Sequence, residues 1–106
     1  MNFSDLLKQA KDVQAKAGEM QKQIAAMEIE GVSGGGLVRV VLNGKSELLK
    51  LSIDPSLLKA EEQGIVEDLV VAAHSDAKTK LEHRVQDEMA RMTRDMGLPP
   101  GLGLGL

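Results

Sequence analysis

The chain has 106 residues, of which 42% are hydrophobic and only 1% aromatic, and its formal net charge is -3. This length predicts one domain with a small core or an elongated half of something larger, and the acidity argues against a generally basic nucleic-acid binder. The chain contains no cysteine, which excludes a disulfide framework, a thiolate metal site and a cysteine nucleophile.

The N-terminus lacks the basic region and apolar stretch of a signal peptide, and no run approaches the roughly 20 apolar residues of a membrane span. We therefore expect an unexported, cytoplasmic protein that does not enter a membrane. A chain this small, with so few large apolar side chains, can bury little area alone, and we expect a homodimer.

Residues 3–27 predict a helix with an apolar seam. The seam residues recur at alternating steps of three and four, which is typical of a coiled coil, and such a helix needs a partner. Because two seam positions are alanine, we expect close packing and modest stability from this helix alone. Asn2 or Ser4 can cap its start. The seam residues are Phe3, Leu6, Ala10, Val13, Ala17, Met20, Ile24 and Met27.

The middle of the chain predicts a three-stranded antiparallel sheet. A first short strand is expected near residues 29–32, followed by a turn or bulge at Gly34-Gly35-Gly36. Residues 37–42 and 48–53 flank Asn43-Gly44, a strong signal for a type I′ hairpin. Three short strands are not stable without a covering helix or a partner sheet.

A two-residue hairpin loop also predicts the register of this sheet. It pairs Leu42 with Lys45 and Val38 with Leu49. The expected core face then consists of Val38, Val40, Leu42, Leu49, Leu51 and Ile53.

Asp54-Pro55 predicts the end of the sheet and a single helical turn up to Lys59, because Asp caps helices well and Pro fits their first position. A second, long helix is expected to follow, with its apolar positions beginning at Val66. Its apolar spacing is nearer 3.75 than 3.5, which indicates a nearly straight helix rather than a strict heptad. From about Leu81 it would extend beyond so small a sheet.

Gly97-Leu98-Pro99-Pro100 is expected to stop the second helix. The Gly-Leu repeat that follows is typical of a flexible terminus. We therefore predict one domain at residues 1–98 and a flexible tail at residues 99–106.

No catalytic or metal-binding arrangement is evident. Gly44-Lys45-Ser46 resembles the end of a phosphate-binding loop, but Arg39 stands where that loop needs its first glycine, and a strand rather than a helix follows. His74 and His83 are nine residues apart and do not fit a metal-ligand pair. We expect no enzymatic activity, no cofactor, no metal and no small-molecule substrate.

The basic residues of the second helix have acidic neighbours three or four residues away, so pairing within the helix explains them without a function. A row of methionines on the same helix is more typical of packing, although it also suits adaptable partner contacts. The expected pairs are Asp76 with Lys80, Arg84 with Glu88 and Asp87 with Arg91, and the methionines are Met89, Met92 and Met96.

Several segments occur in a characteristic order. The heptad helix is followed by Gly34-Gly35-Gly36-Leu37-Val38-Arg39-Val40, Asn43-Gly44 and Asp54-Pro55-Ser56-Leu57-Leu58. Glu67-Asp68-Leu69-Val70-Val71-Ala72-Ala73-His74-Ser75-Asp76-Ala77 and Gly97-Leu98-Pro99-Pro100-Gly101 come later. This ordered set resembles the YbaB/EbfC family of bacterial nucleoid-associated proteins over nearly the whole chain.

The resemblance implies an α+β homodimer whose sheets join at the centre while the first and last helices project as arms, in a tweezer-like shape. It also implies a protein of the cytoplasm and nucleoid that binds duplex DNA mainly through phosphates, organises the nucleoid and influences transcription without catalysis. The candidate DNA contacts are Lys8, Lys11, Lys16, Lys22, Arg84, Arg91 and Arg94.

An alternative function is a protein-interaction module that uses the exposed helical arms. It would engage another protein by helix-in-groove contacts, and the negative net charge and the thin seam of the first helix favour it.

Overall fold

The computed structural model describes residues 2–95 and contains two long helices and a three-stranded sheet. This α+β architecture confirms the predicted fold class of the chain. In chain order, the elements are helix α1 (Phe3–Ala26), strands β1 (Glu28–Ser33), β2 (Val38–Asn43) and β3 (Leu48–Ile53), and helix α2 (Gln63–Asp95).

Three 3-10 turns connect these elements, at Gly34–Gly36, Pro55–Leu57 and Ala60–Glu62. The three glycines of the first turn all have positive φ, which explains a glycine-rich stretch there. The carboxylate of Asp54 accepts a hydrogen bond of 2.9 Å from the backbone N–H of Ser56, as the predicted cap requires. The expected helix stop at residues 97–100 and the expected tail at residues 99–106 lie outside the described residues.

The sheet is antiparallel with strand order β1-β2-β3. The predicted hairpin between β2 and β3 is present, but its predicted register is wrong. Val38 pairs with Ile53 and Leu42 with Leu48, with an irregularity between Val41 and Leu42. The connection is therefore longer than two residues.

The side chain of Asn43 explains the longer turn. Its Oδ1 accepts hydrogen bonds from the backbone N–H groups of Lys45 and Glu47, at 2.9 and 3.0 Å. Ser46, rather than Gly44, has the positive φ of the turn, at 63°. An Asn side chain that holds two later N–H groups stabilises a wider turn than the type I′ signal indicates.

Helix α2 packs against β1 and β2 through small and β-branched side chains. Strand β1 approaches the helix closely at Gly31, where an added Cβ would lie 2.2 Å from the backbone oxygen of Ala73 and 2.5 Å from the backbone nitrogen of Ala77. This contact needs glycine on the strand and alanine on the helix. The core cluster consists of Val38, Val40, Leu42, Leu57, Ala73 and Ala77.

Side chains of α2 also cover the outer edge of β1. Asp76 Oδ2 accepts a hydrogen bond of 2.9 Å from the backbone N–H of Val32, and Lys80 Nζ donates to the backbone oxygen of Glu30 at 3.4 Å. Lys80 and Asp76 form an ion pair at 2.8 Å, as predicted. The Lys80 hydrogen bond, and then the Val32 N–H, lower the pKa of the Asp76 carboxyl.

The rest of α2, residues 82–95, extends beyond the sheet, and the described part of the chain is 71 Å long. We call α1 together with residues 82–95 the arm. Asn2 caps α1, because its Oδ1 accepts a hydrogen bond of 2.9 Å from the backbone N–H of Asp5. No residue of α1 is buried, so the arm is attached to the sheet mainly at its base.

Candidate functional site

Three of the predicted basic residues of α1 lie on one face. Lys8, Lys11 and Lys22 point away from the apolar seam, because a helix turns about 100° per residue, and all three are exposed. We call them the α1 lysine face. None of the three ion pairs formed within residues 2–95 involves these lysines, so in the described chain their ammonium groups are open to an external anion.

Three acidic residues accompany this face. Asp5, Asp12 and Glu19 are spaced seven residues apart, so they form a second exposed stripe along α1. Carboxylates beside a cationic stripe weaken its attraction for phosphate. The α1 lysine face therefore suits moderate, salt-sensitive binding.

Lys16 lies elsewhere, in a groove between α1 and the end of α2. The groove has a volume of about 250 Å³, and we call it the arm groove. Arg91 also lines it and forms an ion pair with Glu88. The residues that line the arm groove are Lys16, Glu19, Met20, Gln23, Glu88, Arg91, Met92 and Asp95.

The arm groove sets two of the seven predicted contacts apart from the α1 lysine face. Lys16 and Arg91 share it with three carboxylates, whereas the α1 lysine face is open to solvent. The local acids compete with phosphate for Lys16 and Arg91, so these two are weaker candidates for phosphate contact.

The remaining bases of α2 are exposed on the arm. Arg84 and Arg91 are seven residues apart, so they lie on the same side of α2, about 10 Å apart along its axis. Arg94 lies in the last described turn. The predicted pairs of Arg84 with Glu88 and of Asp87 with Arg91 do not occur among residues 2–95, because Arg91 binds Glu88 instead.

The two halves of the α1 seam differ in exposure. Towards the N-terminus it is exposed, with 74% of the surface of Phe3, 51% of Leu6 and 44% of Val13 accessible. Towards the base of the arm, Met20 and Ile24 are half-buried. The predicted helix is therefore confirmed, and its seam is more exposed in the N-terminal half than near the sheet.

Strand β3 carries an exposed apolar surface, although Leu49 and Leu51 belong to the core face that the predicted register gives. Leu48, Leu49 and Leu51 are 52%, 52% and 44% exposed. Leu51 pairs with buried Val40, so it faces the same side as α2 and is still not covered. A helix about 10 Å wide covers two strands spaced about 4.8 Å apart, and the third strand remains bare.

The other sequence candidates have ordinary positions. Met92 is half-buried in the arm groove and Met89 is 38% exposed, while Met96 lies outside the described residues. Gly44-Lys45-Ser46 forms the turn between β2 and β3. Within residues 2–95, no group of three acidic or histidine side chains is arranged to hold a metal ion, and no helix is long and apolar enough to span a membrane.

Comparisons with known proteins agree with this architecture. The model of the YbaB/EbfC DNA-binding family matches residues 1–96. A nucleoid-associated protein of Rhodopseudomonas palustris (strain BisB5) is 51% identical over 104 residues, which are 98% of each chain. A nucleoid-associated protein of Agrobacterium fabrum is 52% identical over 99 residues, covering 93% of this chain and 92% of the relative.

The fold also has a solved counterpart. The crystal structure of an uncharacterized protein from Helicobacter pylori is similar, with a TM-score of 0.71 and 27% sequence identity. The match covers 87% of this chain and 97% of that chain.

Proposed function

The chain belongs to the YbaB/EbfC DNA-binding family, and we propose from this premise that it binds duplex DNA as a nucleoid-associated protein. The observation that carries the proposal is the family match over residues 1–96. Relatives about half identical over nearly the full chain are named nucleoid-associated proteins. The proposed role is binding rather than catalysis: the protein organises the nucleoid in the cytoplasm and influences transcription by occupying DNA.

Phosphate contact by the arms is the proposed mode of binding. The α1 lysine face presents three exposed ammonium groups, and Arg84 and Arg94 add two exposed guanidinium groups on α2. Contacts of this kind position a protein on DNA and carry no base information. We therefore expect binding that depends strongly on salt and weakly on sequence.

We further propose that the binding form is a homodimer joined through β3. The leucines of β3 leave an apolar surface exposed, and surfaces of this kind mark association sites. The outer edge of β1 is already covered by Asp76 and Lys80. No comparable hydrogen bond reaches the outer edge of β3 within residues 2–95, which leaves β3 as the edge for a second copy.

A titration of the protein against duplexes of unrelated sequence, at several salt concentrations, tests this function. The logarithm of the affinity should fall linearly with the logarithm of the salt concentration, with a slope of about 0.9 per contacted phosphate. The double variant Lys8→Glu, Lys11→Glu should bind more weakly on every duplex and show a shallower slope.

The matched control is Lys59→Glu, Lys78→Glu, which makes the same change of charge at two exposed positions outside the arm. If both double variants lose affinity equally, net charge rather than the α1 lysine face governs binding. A parent protein that binds no duplex even at low salt would refute the proposed function.

A further inference from the structure

Gly44, at the start of the β2–β3 turn, lies against the backbone of the last turns of α1. An added Cβ at this position would lie 1.6 Å from the carbonyl oxygen of Ile24, 2.3 Å from its carbonyl carbon and 2.9 Å from its Cγ2. Real Cβ atoms do not approach other atoms to less than about 3.0 Å. The absence of a side chain at Gly44 therefore permits the turn and the base of the arm to touch.

The turn is the firmly held partner in this contact. Besides its two bonds through Oδ1, Asn43 donates from Nδ2 to a carboxylate oxygen of Glu47 at 2.8 Å. Its backbone N–H donates to the carbonyl oxygen of Glu47 at 3.0 Å. The preceding residue, Leu42, is fully buried in the core. The turn is thus fixed both internally and to the sheet.

Helix α1 is the weakly held partner. It has no buried residue, and its apolar seam is exposed beyond its middle. A force at its base meets little resistance from packing, because few apolar contacts hold the helix in its direction. When the two partners are pushed apart, α1 therefore moves and the turn stays in place.

We propose that Gly44 is a positioning residue for DNA binding, and that the turn at residues 43–47 is the support that sets the direction of the arm. This inference rests on the proposed function, because direction matters only if the arm contacts DNA. Phosphate contact needs the lysines of the α1 lysine face to be presented at fixed positions. In the described chain, α1 is partly buried only in its half near the sheet, so the direction of the helix is set from that half.

The length of α1 amplifies a small change at this support. A methyl group at Gly44 must separate from Ile24 by well over 1 Å. Phe3 lies about 32 Å from Ile24 along the helix, whereas the junction with β1 is only about 5 Å away. A displacement at Ile24 therefore moves the N-terminal tip of α1 by roughly 5–10 Å.

A distance measurement tests this directly. The chain has no cysteine, so Gln9→Cys on α1 and Ser75→Cys on α2, both at exposed positions, can carry two spin labels. Labelled protein diluted with unlabelled protein reports the distance within one protomer. Gly44→Ala should shift the distance by roughly 5–10 Å, or broaden its distribution to that width.

Gly18→Ala is the matched control, because it makes the same substitution within α1 where an added Cβ meets nothing within 4 Å. It should leave the distance unchanged. A folded Gly44→Ala protein with the parental distance would overturn the proposal.

Asn43→Ala provides a second variant that adds no clash. It removes the side-chain bonds that fix the turn, so the distance distribution should broaden while the core stays folded. If Gly44→Ala does not fold, the proposal is tested by Asn43→Ala alone. A distance distribution of Asn43→Ala as narrow as the parent's would then overturn the proposal.

DNA binding separates positioning from simple structural damage. Gly44→Ala should lose about tenfold in affinity on every duplex, with its mass in solution unchanged, while Gly18→Ala stays near the parent. A displaced arm with parental affinity would show that its direction does not matter for DNA. A parent that binds no DNA refutes the proposed function, while the distances still show whether Gly44 directs the arm.

Discussion

Replacing Gly31 by alanine is expected to separate β1 from α2. Gly31 is buried, and an added Cβ would lie 2.2 Å from the backbone oxygen of Ala73, 2.5 Å from the backbone nitrogen of Ala77 and 2.6 Å from its Cβ. Two of these three atoms are backbone, so no change of rotamer relieves the contact. The strand and the helix must move apart by about 1 Å.

The expected cost combines overpacking with lost hydrogen bonds. Overpacking of a core by one methyl group costs roughly 1–3 kcal/mol, and backbone contacts place this case near the upper limit. The same movement lengthens the bonds of Asp76 with Val32 N–H and of Ser33 Oγ with Leu69 oxygen, each contributing about 1 kcal/mol. The variant should lose about 3–5 kcal/mol from a total that is typically about 5–15 kcal/mol.

Urea denaturation followed by circular dichroism measures this loss. Gly18→Ala is the control, because it has no close contact and lies within a helix, where alanine is favoured over glycine by about 1 kcal/mol. Gly31→Ala should therefore shift the unfolding midpoint down strongly and Gly18→Ala slightly up. A loss below about 1 kcal/mol for Gly31→Ala would mean that the close approach of strand and helix is not what the structure indicates.

Two further substitutions test the edges of the sheet. Lys80 and a backbone N–H of β1 hold the pKa of Asp76 below its ordinary value of 3.8. The charged form of Asp76 therefore stabilises the fold above about pH 4, and this contribution disappears as the pH falls through the lowered pKa. Asp76→Asn should be less stable at neutral pH and lose less on acidification, as measured by denaturation at about pH 7 and pH 3; an unchanged dependence on pH would contradict this account. The double variant Leu48→Glu, Leu51→Glu should place charges in the proposed dimer interface and halve the mass measured by light scattering. The control Val71→Glu, at a site 67% exposed on α2, should leave the mass unchanged. A dimeric double variant would exclude β3 as the interface.

Local signals predicted much of the fold. The heptad spacing identified α1 to within one residue at its C-terminus, and Asn2 was one of two candidate caps. Asp54-Pro55 indicated the turn after β3. These features depend on residues that are near one another in sequence, so the chain itself contains the information.

The hairpin register could not be predicted in the same way. Asn43-Gly44 suggested a two-residue turn in which glycine supplies a positive φ. In the structure, Gly44 instead permits close contact with Ile24, which is twenty residues earlier, and Ser46 is the residue of the turn with positive φ. A contact between distant segments thus assigned the glycine to a different role, and the register changed with it.

The candidate site was predictable only in part. Helical periodicity is enough to place Lys8, Lys11 and Lys22 opposite the apolar seam of α1, where the structure has them exposed. The position of Lys16 and Arg91 in the arm groove depends on how α1 lies against α2. Periodicity within one helix contains no information about that arrangement.

The covered edge of β1 has a consequence for assembly. A sheet with two open edges can add copies at both ends, which leads to filaments rather than to particles of defined size. Here Asp76 and Lys80 occupy one edge, so in the proposed dimer, which is joined through the other edge, addition stops after two copies. Even when many copies bind close together on the same DNA, these two side chains of α2 prevent a further copy from pairing with β1 of the proposed dimer.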